Sequence, residues 1–165
     1  NRRCEVWTEV KGSIQIDAPA GPFTLTAQAD RIELLSEGGL AIIDYKTGSK
    51  PTSSAIRQGY SPQLPLEAVI ASAGGFREVP PRRVSDLEFW RLSGGRVAGA
   101  REGVNQDIEE LARRAEAGIK DLVSSFDNQN TPYFSMPDVR WALSYPEYEH
   151  LARVAEWADG YKGFK

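Results

Sequence analysis

Leu40-Ala41-Ile42-Ile43-Asp44-Tyr45-Lys46, reached through the turn Ser36-Glu37-Gly38-Gly39 from the alternating run Phe23 to Leu34, decides the fold. Four consecutive apolar residues in so short a segment read as a central strand buried on both faces. Phe23 to Leu34 alternates with period two, as a half-buried strand does. With Ser36-Glu37-Gly38 as a three-residue hairpin loop and Gly38 left-handed, residue 35 faces residue 39, and paired numbers sum to 74. That register sets Asp30 directly opposite Asp44. Opposed residues on antiparallel neighbours hold their Cβ atoms about 4.5–5.5 Å apart on one face. Lys46, two residues beyond Asp44, shares that face. Two carboxylates and an ammonium therefore converge.

Working outward, Glu5 to Ile16 favours a first strand, and Ala18-Pro19-Ala20-Gly21-Pro22 a turn. After Lys46, Ser61 can cap a helix with Pro62 in its first position. Leu64, Leu66, Val69 and Ile70 form its apolar face and Gly74-Gly75 ends it; Pro65 is tolerable in the first turn. Asp86 to Leu92 alternates again as a fourth strand. A long helix spans Asn105 to Phe126, with Ile108, Leu111, Ala115, Ile119, Leu122 and Phe126 at helical spacing. A short helix follows near Pro146 to Trp157. The expected architecture is α/β: a central mixed sheet of about four strands, flanking helices and a helical C-terminal extension. No repeat or linker divides residues 1–165, so a single domain is expected.

Composition narrows the function. With 20 basic against 23 acidic residues the net charge is −3, which lacks the strongly basic balance of a simple nucleic-acid binder. Any such function must rest on local chemistry. The single cysteine, Cys4, excludes an intrachain disulfide and any cysteine-built zinc or iron–sulfur site made by this chain alone. No apolar run is long enough to span a bilayer, and no Gly-rich loop ending in Gly-Lys-Ser/Thr is present, so ATP hydrolysis is not encoded here. A cytoplasmic address is the default. The opening Asn1-Arg2-Arg3-Cys4 leads straight into a strand pattern without Met, as expected of a piece of a longer protein.

Two close carboxylates repel each other unless one is protonated or a cation lies between them. An all-oxygen site without nearby His or Cys suits Mg²⁺ or Mn²⁺. Asp30, Asp44 and the backbone carbonyl of Tyr45 are the candidate metal ligands. Such an ion lowers the pKa of bound water and offsets charge on a phosphate, with Lys46 positioning the water or stabilising the transition state. The competing reading is a structural ion pair between Asp44 and Lys46 or Arg31. An acid two residues before a lysine carries little alone, since Glu9-Val10-Lys11 is a second example. The context of Asp44 adds weight: it follows three apolar residues in a buried strand, where an unpaired carboxylate is costly.

The combination Ala29-Asp30-Arg31-Ile32, Ile42-Ile43-Asp44-Tyr45-Lys46-Thr47-Gly48 and Pro62-Gln63-Leu64-Pro65-Leu66-Glu67 resembles the RecB-like branch of the PD-(D/E)xK nuclease superfamily. With Tyr148 to Trp157 added, it is similar to the C-terminal nuclease domain of the B subunit of bacterial AddAB helicase-nucleases, over nearly the whole chain. The resemblance implies a restriction-endonuclease-like fold. It implies that Asp30 and Asp44 bind Mg²⁺ or Mn²⁺, that Lys46 is the catalytic lysine, and that Gln63 supports the site from the following helix. It also implies single-stranded DNA ends as substrate, an AddA-type helicase-nuclease subunit as partner, and double-strand-end processing for recombinational repair. Glu67 stands where the RecB-like pattern has an aromatic residue, a departure expected to alter substrate contacts rather than chemistry. The first core helix is expected upstream of residue 1. Some relatives hold an iron–sulfur cluster with four cysteines, which is not expected here. The competing class is a nuclease-fold scaffold that binds DNA or its partner without cutting.

Other signals carry less. Gly59-Tyr60-Ser61-Pro62-Gln63 imitates a nucleophile elbow but ends in Gln rather than Gly. His150 reads as a solvated helix residue, and Trp7, Trp90, Trp141 and Trp157 as core or rim aromatics. Arg57, Lys50 and Arg31 are candidates for phosphate contacts and Tyr60 for base stacking; Glu9 is an outside candidate for an extra metal contact.

Overall fold

The computed structural model describes residues 3–94 and 99–134. Asn1–Asn128 form one compact unit and Gln129–Lys165 a second; every element below belongs to the first. The order is β1 (Arg3–Ile16), β2 (Phe23–Leu35), β3 (Leu40–Lys46), α1 (Ser53–Arg57), α2 (Gln63–Ser72), β4 (Val84–Arg91), β5 (Ala100–Gly103) and α3 (Ile108–Phe126). The sheet runs β1-β2-β3-β4-β5. Only β3 and β4 are parallel; the other pairings are antiparallel. A parallel pair needs a crossover, and α1 and α2 supply it. This is the mixed sheet with flanking helices of a restriction-endonuclease-like α/β fold, with five strands rather than about four. β5 escaped notice because Ala100-Arg101-Glu102-Gly103 has no apolar alternation; its backbone simply completes the edge of β4. No helix among the described residues is long and apolar enough to cross a membrane.

β3 is central, as its apolar run requires. Leu40, Ile42 and Ile43 are fully buried, each contributing about 1.5–3 kcal/mol of transfer free energy. The β2–β3 hairpin closes on Ser36-Glu37-Gly38: the Leu35 amide donates to the Gly39 carbonyl at 2.9 Å, and Gly38 has φ +87°. The paired residues Arg31 and Ile43, Ile32 and Ile42, and Glu33 and Ala41 follow the expected register.

The alternation in β1 and β2 does not run through. In the outer halves, Val10 and Ile14 of β1 and Leu25, Ala27 and Ala29 of β2 pack into the main core. In the inner halves it is Trp7, Ile32 and Leu34, of the opposite parity. Both strands change phase at one rung: Thr8 pairs with Arg31 and Val10 with Ala29, while Glu9, between them, has φ +51°. A left-handed conformation at a non-glycine residue costs of order 1–3 kcal/mol and marks a local break in the strand. Asp30 lies across from it. The phase slip is visible in the sequence as odd apolar positions to Ala29 and even ones from Ile32, which a uniform period-two reading passes over.

The helices differ in detail from the sequence reading. α1 was not foreseen; Thr52 caps it by accepting from the Ala55 amide at 3.1 Å. α2 starts at Gln63 without a side-chain cap, so Ser61 does not serve as one. Its buried face is Leu64, Pro65, Glu67, Ala68, Ile70 and Ala71, with Leu66 and Val69 only half-buried. The shift follows from the strands beneath it, because α2 lies against β1, β3 and β4 on one side and α3 on another. α3 begins at Ile108, after Asp107, whose carboxylate accepts from the Glu110 amide at 3.1 Å. Of its apolar stripe Leu111 is buried, whereas Leu122 and Phe126 are exposed. The expected helix from Pro146 to Trp157, with Trp141 and His150, lies outside the described residues.

After α2 the chain folds back on the outer edge of β1: the Ser13 amide donates to the Gly75 carbonyl at 3.0 Å and the Arg77 amide to the Lys11 carbonyl at 3.1 Å. A Cβ on Gly75 would sit 2.4 Å from the Ser13 carbonyl oxygen and 2.8 Å from Ile70 Cγ2. Gly75→Ala is therefore expected to destabilise the fold by about 1–3 kcal/mol in denaturant titration. Gly94→Ala, where a Cβ meets nothing within 4 Å, should leave the midpoint unchanged.

Candidate active site

The β2–β3 ladder ends at Arg31 and Ile43. A continued ladder would next pair residue 29 with 45, but Ala29 is already paired with Val10 where β2 changes phase. The Tyr45 amide donates instead to Asp30 Oδ2 at 2.8 Å. A side chain thus replaces a backbone rung, and this fixes one oxygen of Asp30 at the open end of β3. Within a strand, N–H and C=O of one residue project to the same side. The Tyr45 carbonyl therefore opens on the edge that Asp30 occupies. The neighbouring Lys46 carbonyl points the other way and accepts from the Leu92 amide at 2.8 Å.

Asp44 is 3% exposed, at the end of the buried run. Lys46 Nζ lies 2.8 Å from Asp44 Oδ2 and 3.1 Å from Oδ1. The hydrogen bond is directed at Oδ1, leaving the buried Oδ2 with a charge beside it but no donor aimed at it. The ion pair with Lys46 is one of the two structural pairs weighed from the sequence. The other, with Arg31, does not form: Arg31 lies on the opposite face, where its Nε meets Glu33 at 2.6 Å and its guanidinium stacks over Trp90. Burial lowers the pKa of that guanidinium, but its bonds to Glu33 and Tyr45 outweigh this and raise it. Arg31 is thus not beside the carboxylates, contrary to its candidacy as a phosphate contact there.

α2 faces this point with its first turns. Gln63 donates through Nε2 to Glu67 Oε1 at 3.2 Å. Glu67 is 3% exposed, as deeply buried as Asp44. Its Oε2 is buried without a hydrogen-bond partner. Burial pushes the Glu67 carboxyl up to about 7, against the bond from Gln63; the charges of Asp44 and Asp30 push it further up, and Lys46 pulls it down. Sequence reading did not foresee the burial of Glu67. Its signal is a carboxylate inside an apolar helix segment, on the turn after Gln63.

Of the remaining candidates, Glu9 is exposed at the phase change and accepts from Gln28 Nε2 at 2.6 Å. Lys50 is paired with Glu102 at 2.6 Å. Arg57, in the last turn of α1, and Tyr60 are exposed.

Among the described residues no three His, Cys, Asp or Glu side chains lie close enough to hold a metal ion as they stand. The donor set nevertheless fits a hard divalent cation. A buried Asp44 oxygen has only the Lys46 ammonium beside it and accepts no hydrogen bond, the Asp30 carboxylate is fixed on the Tyr45 amide, and both carboxylates and the Tyr45 carbonyl offer oxygen. The raised pKa of Glu67 has a definite sign in stability. The folded state keeps the proton to about pH 7, whereas the unfolded chain releases it near 4.5. This contribution is fully present below pH 4.5 and is lost as pH rises to 7, by up to about 3 kcal/mol. Glu67→Gln, neutral throughout, should remove that loss: in metal-free urea titrations the variant gains on the unmodified protein between pH 5 and pH 8. Equal differences at both pH values would refute the assignment.

Comparison with known proteins fits this geometry. Residues 2–137 match the PD-(D/E)XK nuclease superfamily. An uncharacterized protein of Rickettsia typhi is 35% identical over 89 residues, covering 54% of this chain and 10% of that protein. An uncharacterized protein of Rickettsia conorii is 36% identical over 72 residues, covering 44% and 9%. The matched stretch is thus about a tenth of these relatives' length. The crystal structure of SSO0001 aligns with a TM-score of 0.42 at 17% identity, covering 77% of this chain and 52% of that one. The assignment rests on the family match, which takes in both carboxylate strands, the lysine and α2: the chain belongs to the PD-(D/E)XK nuclease superfamily.

Proposed function

We propose that this chain is a Mg²⁺- or Mn²⁺-dependent DNA exonuclease domain, acting on single-stranded ends within a helicase-nuclease of the AddAB type. In this reading residues 1–165 are one nuclease domain of a longer cytoplasmic protein. An AddA-type subunit supplies the motor, and the assembly processes double-strand ends for recombinational repair. The supporting observation is the meeting, at the open end of β3, of Asp30 on the Tyr45 amide with the buried Asp44–Lys46 pair. The resemblance of the flanking segments to AddAB nuclease domains supports the rest.

The roles follow from the chemistry of each group. Asp30 and Asp44 would hold the cation, with the Tyr45 carbonyl as a neutral third donor. The cation, when bound, supplies Lewis acidity toward water and charge neutralisation at the scissile phosphate. Lys46 gives up its contact with Asp44 and turns its ammonium to the attacking water or to the phosphate oxygen that gains charge. Gln63 orients Glu67 from α2 and keeps the floor of the site in place.

Full-length protein with Mg²⁺ or Mn²⁺ is expected to shorten single-stranded DNA from an end. Asp44→Ala and Lys46→Ala should each lower the rate by about 100-fold or more with the fold retained. If the full-length protein cuts nothing with either ion, the non-catalytic scaffold is the correct reading.

A further inference from the structure

We propose that Glu67 is part of the cation site, a third carboxylate turned toward the ion that Asp30 and Asp44 hold. The inference rests on the metal site described under the proposed function and adds a residue that the strand motif does not contain. Glu67 occupies a position of α2 where the sheet and the rest of the helix demand an apolar side chain: Leu64, Ala68, Ile70 and Ala71 surround it in sequence and are all buried. A carboxylate there lowers stability, because burying a charge without a cation or a full set of donors is costly. No arginine or lysine pairs with it among the ion pairs of the described residues. The one hydrogen bond recorded for its side chain comes from Gln63 and fixes Oε1. Oε2 is left buried and without a partner, whereas Asp44 Oδ2, also buried without a hydrogen bond, has the Lys46 ammonium 2.8 Å away. These are the two such side-chain oxygens among the described residues.

Charge arithmetic points the same way. Asp30, Asp44 and Glu67 bring three negative charges when ionised and Lys46 one positive, a deficit of two that one divalent cation cancels. α2, which carries Glu67, packs against β3, which carries Asp44 and Lys46, and the charges of Asp44, Asp30 and Lys46 bear on the Glu67 carboxyl. As they stand, the three carboxylates do not converge on a single point. Glu67 would therefore join the ion through a shift of its side chain or across a water. Gln63 takes the part of an orienting partner, holding Oε1 and leaving Oε2 open to the ion.

Calorimetric titration of Mn²⁺ into the full-length protein, with thermal melts with and without Mn²⁺, tests the proposal. The site in question is the one that Asp44→Asn abolishes. Glu67→Gln, similar in shape and uncharged, is expected to weaken that site about tenfold or more and to shrink the Mn²⁺-induced rise in melting temperature. Its metal-free melt should be no lower than that of the unmodified protein at pH 8. Glu67→Asp, which keeps the charge on a shorter arm, should fall between the two. If Glu67→Gln binds Mn²⁺ within twofold of the unmodified protein while Asp44→Asn abolishes binding, Glu67 is structural and the proposal fails, with the two-aspartate site intact. If no Mn²⁺ site depends on Asp44, this proposal and the metal reading beneath it fail together.

Discussion

The bond from the Tyr45 amide to Asp30 is where strand pairing ends and chemistry begins. Up to Arg31 and Ile43 the β2–β3 ladder is ordinary, and each backbone group finds its partner on the neighbouring strand. One rung later β2 has turned to follow β1, and the amide of Tyr45 would be an orphan at the edge of a buried sheet. An unmet buried N–H costs about 1–3 kcal/mol. The Asp30 carboxylate meets that demand at 2.8 Å. One interaction therefore closes the hydrogen bonding of the central strand and fixes an acidic oxygen at its carboxyl end. The phase change that frees Asp30 for this task depends in turn on Glu9 holding a left-handed backbone on β1. The strain in β1 and the placement of the carboxylate are two sides of one arrangement.

The two faces of the sheet treat acidic residues differently. On the face away from α2, Glu33 is 1% exposed but is met by Arg3 at 2.5 Å and Arg31 at 2.6 Å. Glu88 there receives Arg101 at 2.8 Å and the Trp90 indole at 2.6 Å. Three guanidiniums lie over the Trp90 ring, a fully compensated polar layer of cation–π contacts and ion pairs. On the α2 face, Asp44 has one lysine and Glu67 has one amide, and each keeps an oxygen without a donor. Burial is alike on the two faces, but compensation is thinner on the α2 face.

Much of this was legible before any coordinates. The apolar run Leu40 to Ile43 has one comfortable place in an α/β sheet, and Gly38 fixes the hairpin register by a local rule. Together they bring residues 30 and 44 to neighbouring strands. The Asp44–Lys46 contact needs only the period of a strand. The departures come from tertiary context. β5 carries no pattern of its own because its pairing is through backbone groups along β4. The buried face of α2 is displaced from the Leu66–Val69 side because the helix packs against strands and α3 together. Arg31 sits on the far face because it alternates with Ile32, on the inner side of the phase change, a point that its nearness in sequence to Asp30 obscures. Glu67 was legible as a residue type and not as a location, since a single carboxylate in an apolar helix reads alike whether it faces a substrate or a cation.

The β1–β2 ribbon also has a mechanical meaning. Beyond the phase change it continues as two strands of seven residues, 10–16 and 23–29, a span of roughly 23 Å at strand rise. At its tip the Ala20 amide donates to the Asp127 carboxylate at 2.9 Å, just past the last turn of α3. The ribbon is thus held along its whole length, by this bond at the tip, by the Gly75 and Arg77 bonds to the outer edge of β1, and by the core contacts of Val10, Ile14, Leu25, Ala27 and Ala29. The backbone that carries Asp30 is therefore positioned by packing well beyond its own neighbours, and a change far out on the ribbon bears on it through that packing.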